Sequence, residues 1–94
     1  MTELPDVSSY GKYSSDNYGV NALRVNLGTI TLYYSYQTIV AYRDIQDGLV
    51  VHVNDWGTTT GKHLNWLDDG DKKYRLMRNE FEKMLKAALD RHIV

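Results

Sequence analysis

The sequence predicts an α+β fold, an antiparallel four-stranded β-meander packed against one C-terminal amphipathic helix. Between Ala22 and Val53, short alternating or β-branched runs are separated by turns, two of them marked by Gly28 and Gly48. From Lys72 onward the apolar residues instead recur every three or four positions, the period of a helix with one buried face. A length of 94 residues leaves room for one sheet and one packed helix in a single domain, residues 1–94.

Residues 1–13 are expected to form a loosely attached segment, because a polar stretch rich in Ser, Gly and Tyr offers little apolar area to offset the entropy of ordering. Tyr10, Tyr13 and Tyr18 offer an alternative, in which their rings lie over the sheet and their hydroxyls stay wet. From Ala22 to Leu27 the side chains alternate, with Leu23, Val25 and Leu27 on the apolar side. Gly28-Thr29 is the turn that follows.

The run Ile30–Tyr36 is β-branched and aromatic on both faces, Ile30, Leu32 and Tyr34 against Thr31, Tyr33 and Ser35, and therefore suits a central strand covered on both sides. A turn at Tyr36-Gln37-Thr38 leads to a third strand, Ile39–Tyr42. Asp47-Gly48 then separates that strand from Leu49–Val53, and Asp-Gly between apolar runs is a strong hairpin signal. Short connections imply antiparallel neighbours.

Asp68-Asp69-Gly70-Asp71 is read as a helix entrance, with Asp71 as the cap. Tyr74, Met77, Phe81, Met84, Leu85 and Ala88 form the stripe that would dock on the sheet, while Lys72, Arg75, Lys83 and Lys86 face water. Glu82, four residues before Lys86, supplies a supporting pair.

The net charge of −1 hides an uneven distribution, nine acids against four bases in residues 1–71 and seven bases against three acids in residues 72–94. Cysteine is absent, which excludes disulfide and thiolate chemistry. The N-terminus has no basic start or apolar core, and no stretch approaches the length of a membrane span, so a soluble, unprocessed cytoplasmic protein is expected.

Trp56 to Trp66 is the densest concentration of chemistry in the chain. It is read as a connecting loop holding Trp56, Thr58, Thr59, Thr60, Lys62, His63 and Asn65 as candidate ligand or interface residues. Gly57 and Gly61 are separated by three residues where a P-loop needs four, and His63 stands where that motif holds Ser or Thr, so nucleotide hydrolysis of that kind is excluded. Hydroxyls, glycine amides, Lys62 and His63 could still hold an anion or a nucleotide phosphate. The competing reading makes the threonines turn braces and gives Trp56, Leu64 and Trp66 the task of sealing the core.

His52, His63 and His92 lack metal-ligand spacing, and no metal or cofactor is expected. Asp68, Asp69 and Asp71 fall short of a calcium loop. A triad of Thr60, His63 and Asp55 can be drawn but has no flanking motif, so no catalytic residue is assigned. Glu82 and Asp90 interrupt the basic helix face, and Tyr33, Tyr36 and Tyr42 have few basic companions, which argues against nucleic acid and fits a protein-binding surface at least as well.

The segments Ser14–Gly19, Tyr34–Tyr42 and Asn54–Asn65, most specifically Thr59-Thr60-Gly61-Lys62-His63-Leu64-Asn65, resemble a small uncharacterised family carried by bacteriophages and other mobile elements. The resemblance implies a phage or mobile-element origin and a host bacterial cytoplasm, and carries over no catalytic residue. The expected function is therefore non-enzymatic: an accessory protein that binds a host protein, as an anti-CRISPR-like inhibitor of a host defence system, through an interface including residues 56–66. Alternatives are a protein that sequesters a signalling nucleotide or similar phosphate ligand, and a small hydrolase using His63. A sheet with an unprotected edge also allows a homodimer.

Overall fold

The computed structural model describes residues 6–11 and 21–93. Five strands, β1 (Asp6–Ser9), β2 (Ala22–Asn26), β3 (Ile30–Ser35), β4 (Thr38–Asp44) and β5 (Gly48–Val51), are followed by helix α1 (Thr58–Asp68), a 3₁₀ turn (Lys72–Tyr74) and helix α2 (Arg78–Ile93). The strands lie in chain order, and every neighbouring pair is antiparallel. The α+β class and the meander stand, with one strand and one helix more than expected.

The extra strand comes from the segment expected to lie loosely. β1 pairs with β2 from Asp6 opposite Asn26 to Ser9 opposite Leu23. Tyr10 then enters the core at 2 % exposure. Its ring meets Tyr33 edge-on at 5.3 Å, and its hydroxyl donates to the Tyr34 carbonyl at 2.9 Å instead of remaining wet. That anchor compensates for a strand whose own sequence, Asp-Val-Ser-Ser, brings little apolar area. Tyr13, Tyr18 and the segment Ser14–Gly19 lie outside the described residues.

β3 is covered on both faces, as its composition suggests. Tyr33, Ala41, Val51 and Ala22 share one core with Tyr10 and with Leu64 of α1. Ile30, Leu32, Tyr42 and Val50 share the other with Phe81 and Ala88 of α2. The sheet is thus the middle layer between two helices. A register shift at Tyr33/Tyr34 leaves Val40 as an extra residue in β4, and the bulge lets Val40 and Ala41 enter the same core although they are consecutive.

The helical part departs most from expectation. Residues 58–68, expected within a loop and its exit, form α1. Asp69 and Gly70, read as a helix entrance, are its exit: both adopt left-handed backbone, φ 53° and 77°, and the Gly70 amide donates to the Asn65 carbonyl at 3.0 Å. Asp71 does cap, but it caps the 3₁₀ turn, through Lys73 N–H at 3.4 Å.

Helix α2 begins at Arg78, six residues later than Lys72, because Leu76 is drawn into the sheet. Its amide donates to the Val51 carbonyl and its carbonyl accepts from Val53 N–H, both at 2.8 Å, which holds Arg75–Met77 extended. Phe81, Leu85 and Ala88 face the core as the stripe requires, whereas Tyr74 and Met77 are exposed.

The C-terminal turn of α2 is fastened to β4 by charge. The Asp44 carboxylate, fully buried, accepts from Arg91 Nη2 at 2.7 Å, from His92 Nε2 at 3.1 Å and from the Asp47 amide at 2.6 Å. Burial alone would raise its pKa; the Asp47 amide, Arg91 and His92 outweigh burial and bring it down to about 2. Tyr42 donates to Asp47 at 2.7 Å, and burial together with that carboxylate pushes its hydroxyl upward. No described helix is long and apolar enough to cross a membrane.

Candidate functional site

Helix α1 sorts the residues predicted for the site by which side of it they occupy. Helical period places Thr60, His63 and Leu64 together, and all three are buried against the sheet. His63 has no exposed surface. Its Nδ1 lies 2.7 Å from Ser35 Oγ at the end of β3, and that same oxygen lies 2.8 Å from Thr60 Oγ1. Three polar side chains inside an apolar layer satisfy one another, which avoids the cost of about 1–3 kcal/mol that each unpaired group would carry.

Beside this network opens a groove of about 320 Å³. Ser35 and Thr60 form part of its wall, Thr58 and Thr59 come from the first turn of α1, and Tyr36 and Trp56 stand at its rim. The two rings are half exposed, Tyr36 at 50 % and Trp56 at 40 %. Trp56 is held from behind by His52, 4.7 Å between centroids, and Tyr36 lies 6.3 Å from the His63 ring. Tyr36 occupies the two-residue turn between β3 and β4 with φ 57°, a left-handed conformation that costs a non-glycine residue about 1 kcal/mol.

The N-terminus of α1 is shaped for this groove. Gly57, at its start, is extended and supplies no side-chain cap, and the first turn contains no acid. Asn54 does the work of positioning: its Oδ1 accepts from Trp56 N–H and its Nδ2 donates to the Gly57 carbonyl, both at 3.0 Å. A Cβ at Gly61 would sit 3.0 Å from that Nδ2, which explains a glycine inside a helix.

Lys62 and Asn65 are not part of this groove. Lys62 is exposed on α1. Asn65 lies on a second, polar depression of about 380 Å³ with Asn54, Gly61, Lys72 and Arg75. There Arg75, read earlier as solvated, is a buried brace: it grips Asp68 through two bonds of 2.7 and 2.9 Å and reaches Asn65 Oδ1 at 3.0 Å. The predicted cluster therefore divides into a groove set, Trp56, Thr58, Thr59 and Thr60, a buried imidazole and two residues on other faces. The triad of Thr60, His63 and Asp55 does not form as drawn, since Asp55 pairs with Arg78 at 3.5 Å.

Sequence reasoning missed Ser35 and Asn54; it grouped Tyr36 with Tyr33 and Tyr42 as a surface, but only Tyr36 is exposed and the other two rings are buried. Reading Thr60–His63–Leu64 as one helical face would have exposed the imidazole as inward-facing, and Ser35 shares the Tyr33 face of β3. Among the described residues, no group of three or more His, Cys, Asp or Glu side chains could hold a metal ion.

Residues 7–83 match a family of unknown function, DUF8033, which spans the sheet, α1 and the start of α2. No curated protein and no solved structure matches the chain.

Proposed function

The chain belongs to that family of unknown function, and on this premise we propose that it acts by binding a partner protein through the face formed by the β3–β4 turn and the start of α1. The observation that carries the reading is the pair of half-exposed rings, Tyr36 and Trp56, set on either side of a groove. Large, pre-positioned aromatics beside hydrogen-bonding groups are the usual anchors of protein interfaces, because their contact area comes at low entropic cost. The resemblance of Thr59–Asn65 to proteins of phages and mobile elements supports an accessory protein in a host bacterial cytoplasm, with a host defence complex as its partner.

The test is a pull-down from bacterial lysate with tagged wild type, Trp56→Ala and Thr58→Glu. One stoichiometric partner retained by wild type and lost by both variants is expected. Retention by both variants, or no partner at all, overturns the proposal.

A second reading rests on the N-terminus of α1, which has no side-chain cap and no acid in its first turn and whose positive dipole end would suit a phosphate-bearing ligand. A nucleotide at one hundred times its dissociation constant would add about 2.7 kcal/mol of stability. Wild type should then melt higher with the nucleotide, while Thr58→Glu, which sets a competing carboxylate in the first turn, should not. No shift across a panel of linear and cyclic nucleotides removes this reading.

A further inference from the structure

We propose that Ser35 is a nucleophile activated by His63, and that the groove beside it accepts small carboxylic esters. The inference rests on a juxtaposition separate from the aromatic rim. A hydroxyl in the groove wall lies 2.7 Å from an imidazole nitrogen with no exposed surface. Beside the hydroxyl, Thr60 Oγ1 lies 2.8 Å away, within reach to donate to it. When Thr60 donates to Ser35, the Ser35 proton must point at His63 Nδ1, which is the arrangement that prepares an alkoxide.

The electrophile has its own place. The first turn of α1, Thr58 to Thr60, contributes to the same groove and receives no side-chain cap, so its amides are available to an oxygen that gains negative charge. Tyr36 and Trp56 supply apolar walls for an acyl chain or an aromatic leaving group. The groove of about 320 Å³ has room for a small acyl group or leaving alcohol.

The chemistry closes without a further reactant except water. Ser35 Oγ forms a bond to the carbonyl carbon while its proton passes to His63 Nδ1 and the carbonyl π pair moves onto oxygen, facing the α1 amides. The tetrahedral species collapses, the bond to the leaving alcohol breaks, and His63 returns the proton to that alcohol. Water then attacks the Ser35 ester with His63 again taking the proton. Collapse expels the Ser35 oxygen, which recovers the proton, and the carboxylic acid departs. Thr60 acts through Ser35 and is a positioning residue.

The full chain is incubated with a fluorophosphonate probe and, separately, with p-nitrophenyl acetate, and adducts are mapped by peptide mass spectrometry. One phosphonyl adduct on Ser35 is expected, with ester turnover above the buffer rate. Ser35→Ala should abolish both. His63→Asn, which keeps a polar atom near the Nδ1 position but removes the base, should lower the labelling rate about 100-fold or more, the usual contribution of a general base. Thr60→Val should lower the rate without moving the adduct, and Thr60→Ser should restore it. Circular dichroism checks that each variant folds; if the Ser35 and His63 variants do not, the wild-type map decides alone. Absence of a Ser35 adduct between pH 6 and 9, an adduct elsewhere, or equal labelling of a folded His63→Asn overturns the proposal.

Discussion

The side-chain amide of Asn54 and the bare Cα of Gly61 occupy adjacent space, with 3.0 Å between Nδ2 and the position a Cβ would take. Glycine inside a helix ordinarily costs about 1 kcal/mol relative to alanine. Here the exchange should not recover that amount, because Asn54 is tied at both ends, to Trp56 N–H and to the Gly57 carbonyl, and cannot move aside freely. Gly61→Ala is expected to leave stability unchanged or lower it by about 1 kcal/mol. In the Asn54→Ala background the same change should stabilise, so a urea-unfolding double-mutant cycle with no coupling between the two sites would contradict this account.

Arg75 ties the end of α1 to the segment that leads into α2. Its side chain is only 3 % exposed and holds the Asp68 carboxylate at two points. Arg75→Ala should destabilise by about 3 kcal/mol, since the Asp68 carboxylate would lose its two-point partner in a largely closed site. Arg75→Lys should recover only part of this, because an ammonium cannot reproduce the planar fork. Equal midpoints for wild type and the lysine variant would count against a bidentate role.

Asp44 gives the fold an acid limit. Its folded pKa of about 2 lies below the ordinary 3.8, so the unfolded chain binds the proton more readily. The stabilisation is complete above about pH 4 and is lost as pH falls through about 2. Asp44→Asn should cost about 2 kcal/mol at neutral pH and flatten the acid limb of stability against pH. An unaltered limb in that variant would assign the acid sensitivity elsewhere.

Tyr36 allows the proposed binding face to be tested apart from stability. Tyr36→Gly relieves the left-handed backbone at φ 57° but removes a half-exposed ring. Its melting temperature should stay within a few degrees of wild type, while retention of the partner in the pull-down should fall at least tenfold. A large loss of stability would show that the ring serves the core.

The meander was legible because its signals are local: alternation in β2, two-sided apolarity in β3 and Asp-Gly before β5. β1 was not, since Asp-Val-Ser-Ser carries no strand pattern and is held by its pairing with β2 and by Tyr10, whose partners Tyr33 and Tyr34 lie more than twenty positions away. The α1 segment deceived for a physical reason. Three threonines between two glycines favour turns in isolation, and the helix forms because Thr60, His63 and Leu64 gain a buried face on a sheet that local propensity cannot foresee. The same misreading moved the α2 start to Lys72, because Leu76 answers to the end of β5 and not to its neighbours. At the candidate groove, Trp56 and the threonines are neighbours in sequence, whereas Ser35 and Tyr36 enter from a strand end and a turn that only the fold brings to them.

Consecutive pairing in the sheet bears on how the molecule comes into being. Each strand from β2 onward finds its partner in the one made just before it, so a nascent chain can add hairpins progressively while later residues are still being synthesised. The two helices arrive last and close opposite sides of a sheet already formed. Until α1 arrives, the Tyr33 side of that sheet stays open to solvent, and it is during this interval that the newborn protein is most exposed to aggregation.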